Sequence, residues 1–210
     1  MVNVIDFSDV WWHRYAADHV ASTCDNAARR VRSCIDDCEF IYFYSPFSGV
    51  GDLPNTLVCL SVIAGRLCMI IANDPAVKAG ALSLSCIRLI HRALDLAYKQ
   101  KLPVVYLLQS AGLNLDAPAA AFIDVGSVFQ KMARHNAATI PSIAVVYGTC
   151  TAGGAYFVGL TDHSIFIRNQ SYVFLAGPDL VFGAVGERNS ADLLGGVDVH
   201  VANGLADESV

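Results

Sequence analysis

The 210-residue chain is 54% hydrophobic against 16% charged and carries a formal net charge of −5. That length fits one domain with its own core, with no need of a disulfide or metal staple. The acidic balance argues against nucleic acid as the main partner, and the apolar excess argues for surface buried against other subunits. The excess does not come from a membrane span. The richest apolar stretch, Leu57 to Ala72, is broken by Arg66, and no run reaches the ~20 uninterrupted apolar residues a spanning helix needs. Asp6, Asp9 and His13 stand where a signal peptide would be apolar, so a cytoplasmic location is expected.

The first ~40 residues read as helical. Val20, Cys24, Ala27, Ala28, Val31, Cys34 and Ile35 recur at helical spacing, with Arg29, Arg30 and Arg32 on other faces. An amino-terminal helical extension over 1–38 is therefore expected, followed by a domain over 39–210. Trp11 and Trp12 read as packing anchors against another subunit. Phe40 to Tyr44 is aromatic and β-branched, and a loop with Pro46, Gly49, Gly51 and Pro54 follows. Leu57 to Ile63 and Arg66 to Ala72, divided by Ala64-Gly65, read as a β-hairpin. Asn73-Asp74-Pro75 ends it as a turn.

Helices and strands then alternate. Ile87, Ile90, Leu94 and Ala97 mark a helix face, and Lys99 and Lys101 lie at its carboxyl end, where cations suit the dipole. Val104 to Leu108 reads as a buried strand, Ala119 to Arg134 as a helix and Ile143 to Tyr147 as a second buried strand. Gly148 to Gly154 reads as a glycine turn opening another helix. Ser164 to Ile167 and Tyr172 to Leu175 read as further strands. Uniformly apolar strands between helices predict an α/β layered fold with parallel strands.

Two strand-to-helix junctions carry small-residue turns: Gln109-Ser110-Ala111-Gly112-Leu113 and Gly148-Thr149-Cys150-Thr151-Ala152-Gly153-Gly154. Ligands of open α/β sheets bind at such carboxyl ends. Glycine there lets a substrate approach the backbone, and the amides opening the next helix lack partners. Two such turns side by side would form an oxyanion hole for a thioester enolate; Gly153-Gly154 could equally serve close packing alone.

The usual side-chain catalysts are missing. There is no GxSxG elbow, Walker loop, dinucleotide GxGxxG or HExxH. The six histidines are scattered, and Ser110 has no base placed by sequence to activate it. The seven cysteines show no CxxC. Cys34 and Cys38 have no second ligand pair, so no metal site is expected and the thiols read as core residues of a reducing compartment.

Gly65-Arg66-Leu67-Cys68-Met69-Ile70-Ile71-Ala72-Asn73-Asp74-Pro75-Ala76-Val77-Lys78-Ala79-Gly80 resembles the G-R-x-C-M-I-V-A-N-D-x-T-V-K-G-G stretch of methylcrotonoyl-CoA carboxylase β subunits. Gly148-Thr149-Cys150-Thr151-Ala152-Gly153-Gly154-Ala155-Tyr156 is similar to that family's G-S-C-T-A-G-G-A-Y. Phe174-Leu175-Ala176-Gly177-Pro178, Gly186-Glu187, Leu194-Gly195-Gly196 and His200 follow in the family's order. The likeness runs from about Ala27 to the carboxyl terminus. It implies a crotonase-like (ClpP/crotonase) spiral of ββα units and the acyl-CoA-binding, amino-terminal half of a biotin-dependent carboxyltransferase.

In that family a second half binds carboxybiotin on a separate carrier protein, and the active site lies between the halves, normally of different subunits. The resemblance therefore implies biotin as cofactor, acyl-CoA as substrate, a biotin-side partner and a homo- or hetero-oligomer. Biotin releases CO2 and takes the α-proton, and backbone amides hold the enolate oxygen, so no protein base is required. Carried over residue by residue, Gly153 and Gly154 would sit at one oxyanion donor and Ala111, Gly112 and Leu113 at the other. Ser110, Asn73, Lys78, Gly80, Arg88 and Tyr156 fall where the family's chain approaches its substrate. Lys78 and Arg88 would either meet phosphates or be solvated; Tyr156 would either line the acyl pocket or pack.

The departures are specific. The family's D-S-G-G-A reads Gln109-Ser110-Ala111-Gly112-Leu113, adding a methyl at Ala111 that would be strained if that position requires positive φ. V-K-G-G-T-Y-Y-P reads Val77-Lys78-Ala79-Gly80-Ala81-Leu82-Ser83-Leu84, and the family's Arg-containing loop after Leu113 is shortened. The likeness ends at Val210, where the family's linker to the biotin half begins, which implies a split-enzyme subunit or a fragment. A biotin-independent decarboxylase or acyl-transfer enzyme on a CoA or carrier-protein thioester, and a non-catalytic scaffold subunit, are the alternatives.

Overall fold

A computed structural model describes residues 25–36, 41–42, 55–114, 116 and 119–210. Trp11, Trp12, the rest of the expected extension and the loop with Pro46 and Gly49 lie outside the described residues. The chain builds α1 (Asp25–Cys34), β1 (Ile41–Tyr42), β2 (Thr56–Ile63), β3 (Arg66–Asn73), a 3-10 turn (Lys78–Gly80), α2 (Leu84–Gln100), β4 (Val104–Ser110), α3 (Ala120–Ala137) and β5 (Ser142–Thr151). Then come α4 (Gly153–Gly159), β6 (His163–Phe166), β7 (Tyr172–Phe174), α5 (Pro178–Val185), α6 (Ala191–Gly195), α7 (Val197–Asn203) and β8 (Glu208–Ser209).

The strands form one eight-stranded sheet in the order β1-β2-β3-β4-β5-β6-β8, with β7 also on β5. The β2–β3 pair is antiparallel, and β3, β4, β5 and β6 run parallel. The hairpin turn is Ala64-Gly65, both with positive φ, as the twist of a two-residue hairpin requires. Asp36, just past α1, accepts from the Ala64 and Gly65 amides at 2.8 and 2.7 Å, which ties the hairpin tip to the helix.

Alternation along the strands makes two cores. Val58, Met69, Ile71, Val104, Tyr106 and Leu108 face α2 and α3, while Leu57, Cys59, Ile70, Ala72, Val105 and Leu107 face Ala27, Ala28 and Val31 of α1. Both faces of the central strands are thus covered, which explains their uniformly apolar sequences. Ser83 caps α2 by accepting from the Cys86 amide. Asp74, fully buried, accepts from the Ala27 and Ala76 amides and fixes α1 to the end of β3.

Two elements differ from the sequence reading. α3 continues to Ala137, because His135 is buried and its Nε2 reaches the Leu94 carbonyl of α2 at 2.9 Å. Gly148 to Thr151 is strand rather than turn: β7 pairs with Thr149, Cys150 and Thr151, and β4 pairs at Cys150. The reversal is concentrated at Ala152, held at φ 47 and ψ −119, a conformation that costs an L-residue about 1–3 kcal/mol.

His135 gives the fold a pH dependence. Burial lowers its pKa, outweighing the raising effect of the bond to Leu94. The unfolded imidazole, with an ordinary pKa of about 6.5, binds a proton that the folded one resists. This contribution is therefore complete above about pH 6.5 and is lost as pH falls towards the lowered folded value. Urea unfolding at about pH 7.5 and about pH 5.5 should show the loss, and His135→Gln should make the dependence shallower.

Candidate active site

The first glycine turn grows from the end of β4, where the pairing with β5 shifts register between Leu108 and Ser110. Ser110 is buried; its hydroxyl donates to the Gly80 carbonyl at 2.8 Å and accepts from the Gly112 amide at 3.2 Å. The Ala111 amide donates to Ala79 at 3.1 Å. Leu82 donates to the Gly112 carbonyl at 2.7 Å, and Asn114 donates to Leu82 at 2.9 Å, a parallel bridge centred on Leu82 and Leu113. In such a bridge the amide of Leu113 points away from Leu82. Of the three first-turn residues carried over as donors, Leu113 keeps an amide without a bond among the described residues. The positive φ of 87° falls on Gly112; Ala111 is outside that region and exposed. The added methyl therefore carries no left-handed strain.

The second turn closes on the first. Ala152 donates to the Phe174 carbonyl at 3.2 Å, and α4 starts at Gly153, so the Gly153 and Gly154 amides precede the intrahelical ladder. A Cβ built on Gly112 would lie 3.2 Å from the Gly153 nitrogen and 3.0 Å from the Thr151 oxygen. One built on Gly153 would lie 4.0 Å from the Leu113 nitrogen, and one on Gly154 only 2.7 Å from the Ser110 oxygen. The two peptide corners thus touch through glycine, with unbonded amides on both. Such a pair can stabilise charge developing on a carbonyl oxygen placed between them. The Leu113 side chain packs against the main core.

An aromatic wall stands beside this corner. The Phe129 ring tip is 4.0 Å from the position of a Gly153 Cβ, and its ring lies 5.3 Å from Tyr156 and 5.5 Å from Phe157. Tyr156 is 51% exposed, so it packs on one side and is open on the other. Gly80 crosses the first turn so tightly that a Cβ would lie 2.2 Å from the Gln109 oxygen. Lys78 sits two residues earlier, exposed, with its Nζ 2.8 Å from Asp116. Asn73 is buried and donates to the Thr56 hydroxyl at 3.3 Å, a link inside the hairpin. Arg88 lies on the exposed face of α2, and no contact ties it to either turn among the described residues.

The described ionisable groups near the corner are not poised as nucleophiles or bases. Burial pushes the Cys150 thiol up to about 12. His91 bonds to the Asp124 carbonyl, His135 to Leu94, His163 to Glu208 and His200 to Val173. Sequence reasoning gave Arg30 and Phe129 no part in the site and read Gln109 only as a departure from the family's first turn. Glycine at 148 inside a strand was the available signal, since it marks close approach by another group: a Cβ there would lie 2.5 Å from Gln109 Cδ.

Comparison with known proteins decides the family. Residues 60–210 match the carboxyl transferase domain. The chain belongs to the carboxyl transferase domain family. A probable biotin-dependent acyl-coenzyme A carboxylase beta2 subunit of Mycobacterium tuberculosis is 44% identical over 92% of this carboxyl transferase chain and 38% of its own length. A probable mitochondrial methylcrotonoyl-CoA carboxylase beta chain of Drosophila melanogaster is 43% identical over 66% of this chain and 24% of its own. The crystal structure of the Pseudomonas aeruginosa geranyl-CoA carboxylase beta subunit superposes with a TM-score of 0.80 at 29% identity, over 94% of this chain and 40% of that one. The expected crotonase-like architecture is thereby borne out. The chain spans from about a quarter to two fifths of the length of these relatives.

Proposed function

We propose that this chain is the acyl-CoA side of a biotin-dependent carboxyltransferase and works with a second, biotin-side half. The observation that carries the reading is the contact of the two glycine corners, which puts the Leu113 amide beside Gly153. An acyl-CoA thioester oxygen seated there would accept from Leu113 on one side and from Gly153 or Gly154 on the other. Both donors are fixed before substrate arrives, so they favour the enolate over the neutral thioester. Carboxybiotin, brought by a separate carrier, would supply CO2 and the base for the α-proton. That division of labour fits a chain whose described histidines are all bonded elsewhere.

The aromatic wall of Phe129 and Tyr156 suits an apolar acyl group, and Lys78, paired with Asp116 beside the turn, would exchange that partner for a CoA phosphate. The described cysteines are free thiols, which suits the cytoplasm. Among the described residues no helix is long and apolar enough to cross a membrane.

Exposed apolar side chains near the carboxyl-terminal helices support the need for a partner half. α5 buries none of its residues; Leu175, Leu180, Val185 and Leu193 are 65, 64, 66 and 75% exposed. Exposed apolar side chains of this kind suit a subunit interface. Leu180→Asp is expected to weaken association with the biotin-side half by about tenfold or more, measured by titration calorimetry, with the chain's own thermal midpoint unchanged.

The reading is tested by assembling the chain with a biotin-side half and a biotinylated carrier. Carboxylation of an acyl-CoA that depends on biotin supports it. Biotin-free decarboxylation of a malonyl-type thioester would replace it with the decarboxylase alternative, and failure to bind any acyl-CoA at micromolar levels would leave a scaffold.

A further inference from the structure

Arg30, on α1, reaches beneath the carboxyl ends of β4 and β5. Its Nη2 donates to Gln109 Oε1, 79 residues away, at 2.5 Å. Its guanidinium carbon lies 4.9 Å from the centre of the Tyr147 ring. Its Nη1 is buried without a hydrogen bond. The Asp74 carboxylate faces the group electrostatically but is taken by Asn26, Ala27 and Ala76, and among the described residues no carboxylate forms a salt bridge with Arg30. Burial accordingly lowers the Arg30 pKa, although a guanidinium stays charged at any ordinary pH.

Gln109 is the residue that opens the first glycine turn. Its side chain occupies the space a Cβ on Gly148 would need, 2.5 Å from that position, and its carbonyl lies against Gly80. The resemblance noted above places an aspartate at this position. Here the cation is present and its contact is a neutral amide. A buried carboxylate beside Arg30 would cancel its field; an amide holds the same geometry and leaves the field in place.

We infer that Arg30 is a positioning residue that clamps the first glycine turn through Gln109 and, because Gln109 is neutral, leaves a positive charge behind the corner where the enolate oxygen forms. The inference rests on the carboxyl-transfer reading above. It assigns the neutrality of Gln109 a role in transition-state stabilisation: the charge acts on the enolate and hardly on the neutral thioester.

Gln109→Glu tests it, because glutamate has nearly the same shape, keeps the bond to Arg30 and adds only the missing negative charge. With the assembled enzyme, kcat for carboxylation is expected to fall about tenfold while KM changes less than about twofold and the thermal midpoint holds or rises. Arg30→Lys, which keeps the charge but loses the fork, should retain more activity than Arg30→Met. A purely structural clamp predicts the reverse for Gln109→Glu, namely a firmer pair and an unchanged kcat. An active wild type whose kcat is unmoved by Gln109→Glu overturns this inference alone. A wild type with no biotin-dependent activity overturns the carboxyl-transfer reading and this inference together.

Discussion

Gly112→Ala is expected to abolish carboxyl transfer while leaving a folded chain. Two costs meet at this residue. Its φ of 87° lies in the left-handed region, where a Cβ costs about 1–2 kcal/mol. That Cβ would also lie 3.0 Å from the Thr151 oxygen and 3.2 Å from the Gly153 nitrogen, in the seam between the two corners. The backbone on the Thr151 side is fixed by pairing with β7, so the corners must part instead. Losing the alignment of one oxyanion donor typically lowers kcat by about 100-fold or more. The measurement is kcat/KM for the assembled enzyme beside the thermal midpoint of the chain; a variant with full activity would show that the seam is not where the thioester oxygen sits.

Gly154→Val carries the second large effect. A Cβ at this position would lie 2.7 Å from the Ser110 oxygen and 3.2 Å from Ser110 Cβ, and the oxygen belongs to backbone that cannot rotate away. Valine would push α4 off the end of β4, at a cost of about 1–3 kcal/mol from overpacking. Activity should fall by at least about 100-fold even at temperatures where the variant remains folded. Gly154→Ala separates the two consequences: it creates the same clash with a smaller wedge, and its activity loss should exceed what its stability loss explains.

Much of the architecture was legible because it is local. Ala64-Gly65 between two apolar runs specified the hairpin, and the 3.6-residue spacing of Ile87, Ile90 and Leu94 specified α2. The family motifs located both glycine corners. What local pattern could not carry was tertiary. The strand character of Gly148 to Thr151 comes from β7, which lies later in the chain, and the last turn of α3 is held by the bond from its own His135 to the Leu94 carbonyl of α2. The first corner shows two small residues in a row, Ala111 and Gly112, and spacing does not say which takes the positive φ. The bond between Arg30 and Gln109 spans 79 residues, so no window of sequence joins them. Asn73 and Arg88 show the opposite limit: motif position brought them forward, yet one is tied into the hairpin and the other has no described contact with either turn.

The most direct test is a structure of the chain with its biotin-side half and a bound acyl-CoA. The thioester oxygen is expected within about 3 Å of the Leu113 amide and of the Gly153 or Gly154 amide, with the acyl group against Phe129 and Tyr156. A thioester oxygen bound elsewhere, with the Leu113 amide covered by protein, would contradict it.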